Sequence, residues 1–326
     1  MSFTSFEDAD KIVNRFIELL SRHGGITPKI GSKIEDEFLS PMQLLELTKN
    51  FGALVNQPEL LAEAGGMYDL AAKLLAIETQ PEFVTFIPHL KLFETKTAIS
   101  TVVQPNNAHS EDDVNRKLVE LYLGSLVVHF GHKVELDDPV RSKGNNPDVM
   151  FEIEAEDQPT SRWALAIKTV STTSGQTLFE NIQKAAKQID AEACPADRGI
   201  VVINLKNSIQ HKLLWDITYT SLEEADAALR TRMRALIDSS ETDRLLSDWE
   251  AVFAKRTSPL VFFYCQAVVR LRPPGGQDVA MILKVAEVFN PLGREDDMAK
   301  HIAYYLNHFM QVILDGVPGA PGQAPS

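Results

Sequence analysis

Residues 145–206 hold two alternating runs separated by a turn, and this pattern leaves little choice of local fold. In the first run Val149, Phe151 and Ile153 alternate with Met150, Glu152 and Glu154, so the apolar set lies on one face of a strand. In the second, Trp163, Leu165 and Ile167 alternate with Ala164, Ala166 and Lys168. Residues 156–161 (EDQPTS) are turn material, so the two runs form a hairpin. A turn centred near Gln158 sets Asp148 opposite Lys168, Met150 opposite Ala166 and Glu152 opposite Ala164. Directly opposed residues have Cβ atoms roughly 4.5–5.5 Å apart, which brings a carboxylate and an ammonium together at one end of one sheet face.

An amphipathic helix carrying Glu180, Lys184, Ala185, Lys187 and Gln188 follows, and then an apolar strand over 199–205. Pro147-Asp148, a hairpin ending in Ala166-Ile167-Lys168-Thr169, that helix and that strand together resemble the PD-(D/E)XK nuclease superfamily. The resemblance covers residues 108–207, about a third of the chain. It implies an α/β, restriction-endonuclease-like mixed central sheet flanked by helices, with helical N-terminal and C-terminal regions. It also implies a metal-dependent endonuclease acting on DNA, with Mg²⁺ or Mn²⁺ as cofactor. A role in bacterial restriction, in defence or as a toxin would suit the family, but no residue here specifies one.

The chain departs from the pattern at Ala166, where the family carries Asp or Glu. Three readings stand. The carboxylate has migrated to the next helix, with Glu180 as its natural carrier. Ala166 is an introduced, inactivating change. Or the site is inactive and the fold serves to bind nucleic acid or a protein partner.

In the family a helix precedes the first strand and turns a glutamate towards the metal. Here Ser110-Glu111-Asp112-Asp113 opens a helix that runs towards Gly131, with acidic residues favourably placed against its dipole. Glu120 is the position on it that resembles the family's glutamate. The resemblance thus implies metal ligation by Asp148, Glu180 and the Ile167 carbonyl, with catalysis by Asp148, Lys168, Glu180 and Glu120. Lys184, Lys187 and Gln188 would meet the substrate backbone. Each has a plainer reading: Asp148–Lys168 as a cross-strand ion pair, Glu180 as a helix-start carboxylate, Glu120 and both helix lysines as solvated residues. Glu152 and Glu154, on the Asp148 face, are further carboxylates to weigh, or else solvated edge residues.

The net charge of −13 argues against a general nucleic-acid coat, because phosphate neutralisation needs dense Lys and Arg. It leaves room for a nuclease, whose metal-holding carboxylates themselves add negative charge. No apolar run approaches the roughly 18 residues of a membrane span, and MSFTSFEDAD does not resemble a signal peptide. Cys194 and Cys265 offer neither a disulfide framework nor metal-ligand spacing. A cytoplasmic protein is expected.

Four regions are expected: a helical N-terminal domain (1–105), the nuclease-like core (106–207), a helical C-terminal region with an added strand (208–315) and a disordered tail (316–326). In the first, helices are expected over 6–22, from Ser40-Pro41, from Pro58 to a break at Gly65-Gly66, and over 68–77; residues 83–103 are ambiguous. Residues 40–64 lack the basic recognition helix of a helix-turn-helix. His129 and His132, without a third ligand nearby, read as ordinary surface residues. Beyond 207, helices are expected over 208–217, 222–237, 242–253 and 296–314, with a strand at 260–271 and a mixed segment at 279–289. The helical regions are the surfaces expected to meet a second copy or a protein partner. No phosphate-binding loop, nucleophile elbow or zinc-ligand cluster is present in the sequence to support an unrelated enzyme class.

Overall fold

The computed structural model describes residues 6–29, 57–94, 112–141, 146–154, 159–242 and 244–312, together with Glu35, Phe38, Leu39, Gln43 and Leu44. The helix expected from Ser40-Pro41 and the tail at 316–326 lie outside or almost wholly outside these residues.

The protein is α/β, with a mixed seven-stranded sheet and an N-terminal helical region. In chain order the elements are α1 (Phe6–Leu19), α2 (Pro58–Ile77), α3 (Ile87–Leu90), α4 (Asp112–Val127), β1 (His132–Leu136), β2 (Val149–Ile153) and β3 (Ser161–Thr169). There follow α5 (Gly175–Asp190), β4 (Arg198–Asn204), α6 (His211–Trp215), β5 (Thr218–Tyr219), α7 (Leu222–Glu241), α8 (Leu246–Val252), β6 (Thr257–Leu271), β7 (Val279–Phe289) and α9 (Asp297–Gln311). The sheet order is β1-β2-β3-β4-β6-β5, with β7 also paired to β6. β3, β4 and β6 run parallel, whereas β1–β2, β2–β3 and β6–β7 are antiparallel.

Alternation along the central strands builds two cores, one on each face. Trp163, Leu165 and Ile167 of β3, Ile200 and Val202 of β4, and Leu260 and Phe262 of β6 join a cluster with Phe16, Met67, Leu121 and Ile302 from α1, α2, α4 and α9. Ala164, Ala166, Val201, Ile203, Val261 and Phe263 face the other way, against Ile182, Leu229 and Trp249 of α5, α7 and α8. Burial on both faces explains why β4 and β6 are almost continuously apolar.

Three sequence expectations need correction. The hairpin register is Val149↔Leu165, Met150↔Ala164 and Glu152↔Arg162, two residues from the expected pairing. Asp148 therefore stands opposite Ala166. A two-residue slip keeps every side chain on its expected face, so the alternation could not reveal it. Second, α2 runs unbroken through Gly65-Gly66. A Cβ at Gly65 would lie 1.9 Å from Ile282 Cδ1, so this glycine serves the close approach of β7 rather than ending the helix. Third, 279–289 is one strand, and β5 and β7 join the single strand expected beyond 207. Of the ambiguous stretch, residues 81–94 form short helical turns.

Candidate active site

The site lies where β2 begins, at the α4 side of the hairpin. Asp148 is only 6% exposed. Its backbone N–H donates to the Leu165 carbonyl (3.0 Å), and its own carbonyl accepts from the Asp137 N–H (3.0 Å), which fixes it between β1 and β3. Its Oδ2 accepts from the Ile167 N–H at 2.6 Å. Within a strand a residue's N–H and C=O point to the same side, so the Ile167 carbonyl also faces β2.

Glu120, midway along α4, is 4% exposed and within hydrogen-bond reach of Asp148. Lys117, one turn earlier, donates to Glu120 Oε2 at 2.8 Å, and His89 Nε2 stands 3.4 Å from the same oxygen. Burial, then the neighbouring Glu120 charge, pushes the Asp148 carboxyl up to about 7, against the pull of Lys168. Burial raises the Glu120 carboxyl too, opposed first by Lys117. Burial lowers the Lys168 ammonium, opposed by Asp148 and Glu120. Burial and then Lys117 push His89 down to about 4, so its imidazole is neutral at pH 7. Arg116 and Lys117 add positive charge felt at Lys168.

Lys168 Nζ donates to Gln188 Oε1 at 2.5 Å, and Gln188 Nε2 donates to the Asn146 carbonyl at 3.0 Å. Gln188 is 6% exposed. The residue expected to touch substrate instead ties α5 to Lys168 and to the segment that carries Asp148.

Of the expected residues, then, the fold gathers Asp148, Glu120, Lys168, Ile167 and Gln188. Glu180 is elsewhere: it accepts from Gln176 Nε2, one turn back on the exposed start of α5, at 2.7 Å. It lies eight residues before Gln188, roughly 12 Å along the helix axis, and it is not among the groups acting on Asp148. Migration of the missing carboxylate to Glu180 is thus not what this arrangement supports. Lys184 and Lys187 are on the exposed face of α5. Glu152 pairs with Lys133 at the far end of β2, and Glu154 is exposed. Ala166 is fully buried among the apolar residues under α5. His89, Lys117 and Asn146 escaped the sequence reading because nothing in their local pattern marks them; only the packing of α3 on α4 brings His89 to the site.

The donor set is oxygen-rich: Asp148, Glu120 and the Ile167 carbonyl. Asp137 Oδ2, buried at the end of β1, has no hydrogen-bond partner among the described residues. Among the described residues no group of three or more His, Cys, Asp or Glu stands at metal-holding spacing. Two carboxylates, a backbone carbonyl and solvent are nonetheless what Mg²⁺ or Mn²⁺ takes, because these ions keep several waters. The residues fit such a cation, whose charge would also offset the repulsion between the two acids.

No family model, no curated protein and no solved structure matches the chain.

Proposed function

We propose that the protein is a metal-dependent nuclease of restriction-endonuclease-like fold that hydrolyses phosphodiester bonds, with DNA as substrate. The observation that carries this reading is the convergence of Asp148, Glu120 and Lys168 on one buried site although they come from three separate elements. A carboxylate pair whose charged form is disfavoured, beside a lysine whose ammonium is weakened, marks a functional site more often than a structural one.

Asp148, Glu120 and the Ile167 carbonyl would hold the Mg²⁺ or Mn²⁺. When bound, that ion supplies Lewis-acid polarisation of the scissile phosphate. Lys168 would hold the attacking water and, as an ammonium, offset the negative charge that builds on the phosphoryl oxygens. Gln188 holds Lys168 in that orientation, and the Ile167 N–H holds the Asp148 carboxylate. Arg116 and Lys117 supply the local positive charge that an acidic chain needs to receive a phosphate backbone.

The test is cleavage of plasmid and linear DNA with Mg²⁺ or Mn²⁺, with RNA as a parallel substrate. Cleavage that disappears in Asp148→Asn and Lys168→Ala supports the reading. Silence towards DNA and RNA with both metals would sink it and favour a binding protein of the same architecture.

A further inference from the structure

We propose that His89 is a positioning residue for Glu120, which makes the N-terminal helical region part of the cation site itself; the inference rests on the nuclease reading above. His89 belongs to α3, which is 31 residues from Glu120 in sequence, yet its Nε2 stands 3.4 Å from Glu120 Oε2. Both are buried, with side-chain exposures of 0% and 5%.

The approach is built into the packing of α3 on α4. Glu120 and Gly124 are four residues apart and share one face of α4. A Cβ at Gly124 would lie 2.5 Å from Leu136 Cδ2 and 3.3 Å from Phe86 Cε1, so the glycine leaves room for Phe86 and Leu136 to sit against α4 as they do. Phe86, just before α3, and Leu90, at its end, are fully buried and pin it there. His89 lies between them and meets the next residue of the same stripe, Glu120.

In the tautomer that carries its proton on Nε2, the ring donates to the Glu120 carboxylate and Nδ1 is left an acceptor. Among the described residues Nδ1 is buried without a hydrogen-bond partner. An apolar side chain would fill this space without that unsatisfied nitrogen, so the contact with Glu120 is what the imidazole contributes. Lys117 and His89 converge on Oε2, leaving Oε1 out of both bonds. A donor that holds one carboxylate oxygen sets the direction of the other, and residues that orient a metal ligand typically change metal affinity 10–100-fold when lost.

The test is calorimetric titration with Mn²⁺ of the full chain and of His89→Leu, His89→Gln and Asp148→Asn, each checked for folding by circular dichroism. His89→Met, which adapts to irregular space, is the second donorless variant should leucine not fold. The expected result is a Kd about 10-fold weaker in the donorless variant and near-normal binding in His89→Gln, which keeps an N–H donor. The Mn²⁺ concentration for half-maximal DNA cleavage should move in parallel, with kcat at saturating metal retained. Unchanged Mn²⁺ affinity in the donorless variant, with binding lost in Asp148→Asn, would overturn the role of His89 alone. Normal binding in Asp148→Asn would overturn the cation reading instead.

Discussion

Glu120 on α4 and Asp148 at the head of β2 face one another as two buried carboxylates, 4% and 6% exposed, with burial raising both. Without a cation this pair is a liability, since like charges in a low-dielectric site disfavour joint ionisation. Glu120→Gln keeps the acceptor for Lys117 and His89 and removes one charge. In chelator at pH 8 it is expected to raise the melting temperature by a few degrees, on the order of 1 kcal/mol, and to abolish stabilisation by Mn²⁺. Thermal melts with EDTA and with Mn²⁺ check both signs.

Placing a carboxylate at position 166 should not help. Ala166 opposes Asp148 in the observed register and is packed under α5. Ala166→Glu would bury a third carboxylate with no partner in a filled core, costing about 1–3 kcal/mol or more. The expected outcome is a lower melting temperature with no gain in cleavage. A gain would mean that the site lacks a ligand Glu120 does not supply.

Gln188→Leu removes the acceptor of Lys168 without altering its charge. Cleavage should fall about 10-fold, in kcat rather than KM, because the lysine loses its orientation and not its presence. Lys187→Ala, on the exposed face of the same helix, should change cleavage little. Steady-state kinetics on one DNA substrate separates the two.

Much of the core was legible in the sequence. The strands β2, β3 and β4 and the helix α5 between the last two followed from alternation and helical spacing, because strands buried on both faces and amphipathic helices leave strong local patterns. The register did not follow, since alternation is unchanged by a two-residue slip. The second carboxylate was expected at Glu180, with Glu152 and Glu154 as alternates and Glu120 as a separate helix glutamate. Helical spacing places Glu120 and Glu180 each on its own helix but does not say how those helices cross the sheet. His89 carried no signal at all, because its role depends on Phe86 and Gly124 meeting across a long sequence separation. Gly65 misled for a related reason: the contact that demands it comes from β7, more than two hundred residues on.

That contact yields a stability test. Gly65→Ala should change stability by less than about 1 kcal/mol, because a rotamer shift of the Ile282 end offsets alanine's higher helix propensity. With Ile282→Ala in the same chain the contact is gone and Gly65→Ala should stabilise by about 0.5–1 kcal/mol, and denaturant melts of the two single variants and the double variant measure the coupling.

Acid sensitivity is expected from His129, which stacks on Phe309 with ring centroids 4.9 Å apart. Burial, with Lys73 nearby, lowers it from 6.5 to about 4. The unfolded chain therefore takes up the proton first, and stability is lost as pH falls from 6.5 towards 4. Allowing for partial exposure, the loss is on the order of 1–2 kcal/mol. His129→Phe keeps the stacking and should flatten the decline in denaturant midpoint between pH 7 and pH 5.

The most direct measurement is calorimetric binding of Mn²⁺ to the intact chain, to Glu120→Gln, to Asp148→Asn and to Glu180→Gln. The geometry predicts one site that is lost in the first two variants and retained in Glu180→Gln. Binding retained in Glu120→Gln but lost in Glu180→Gln would contradict it and return the second carboxylate to α5.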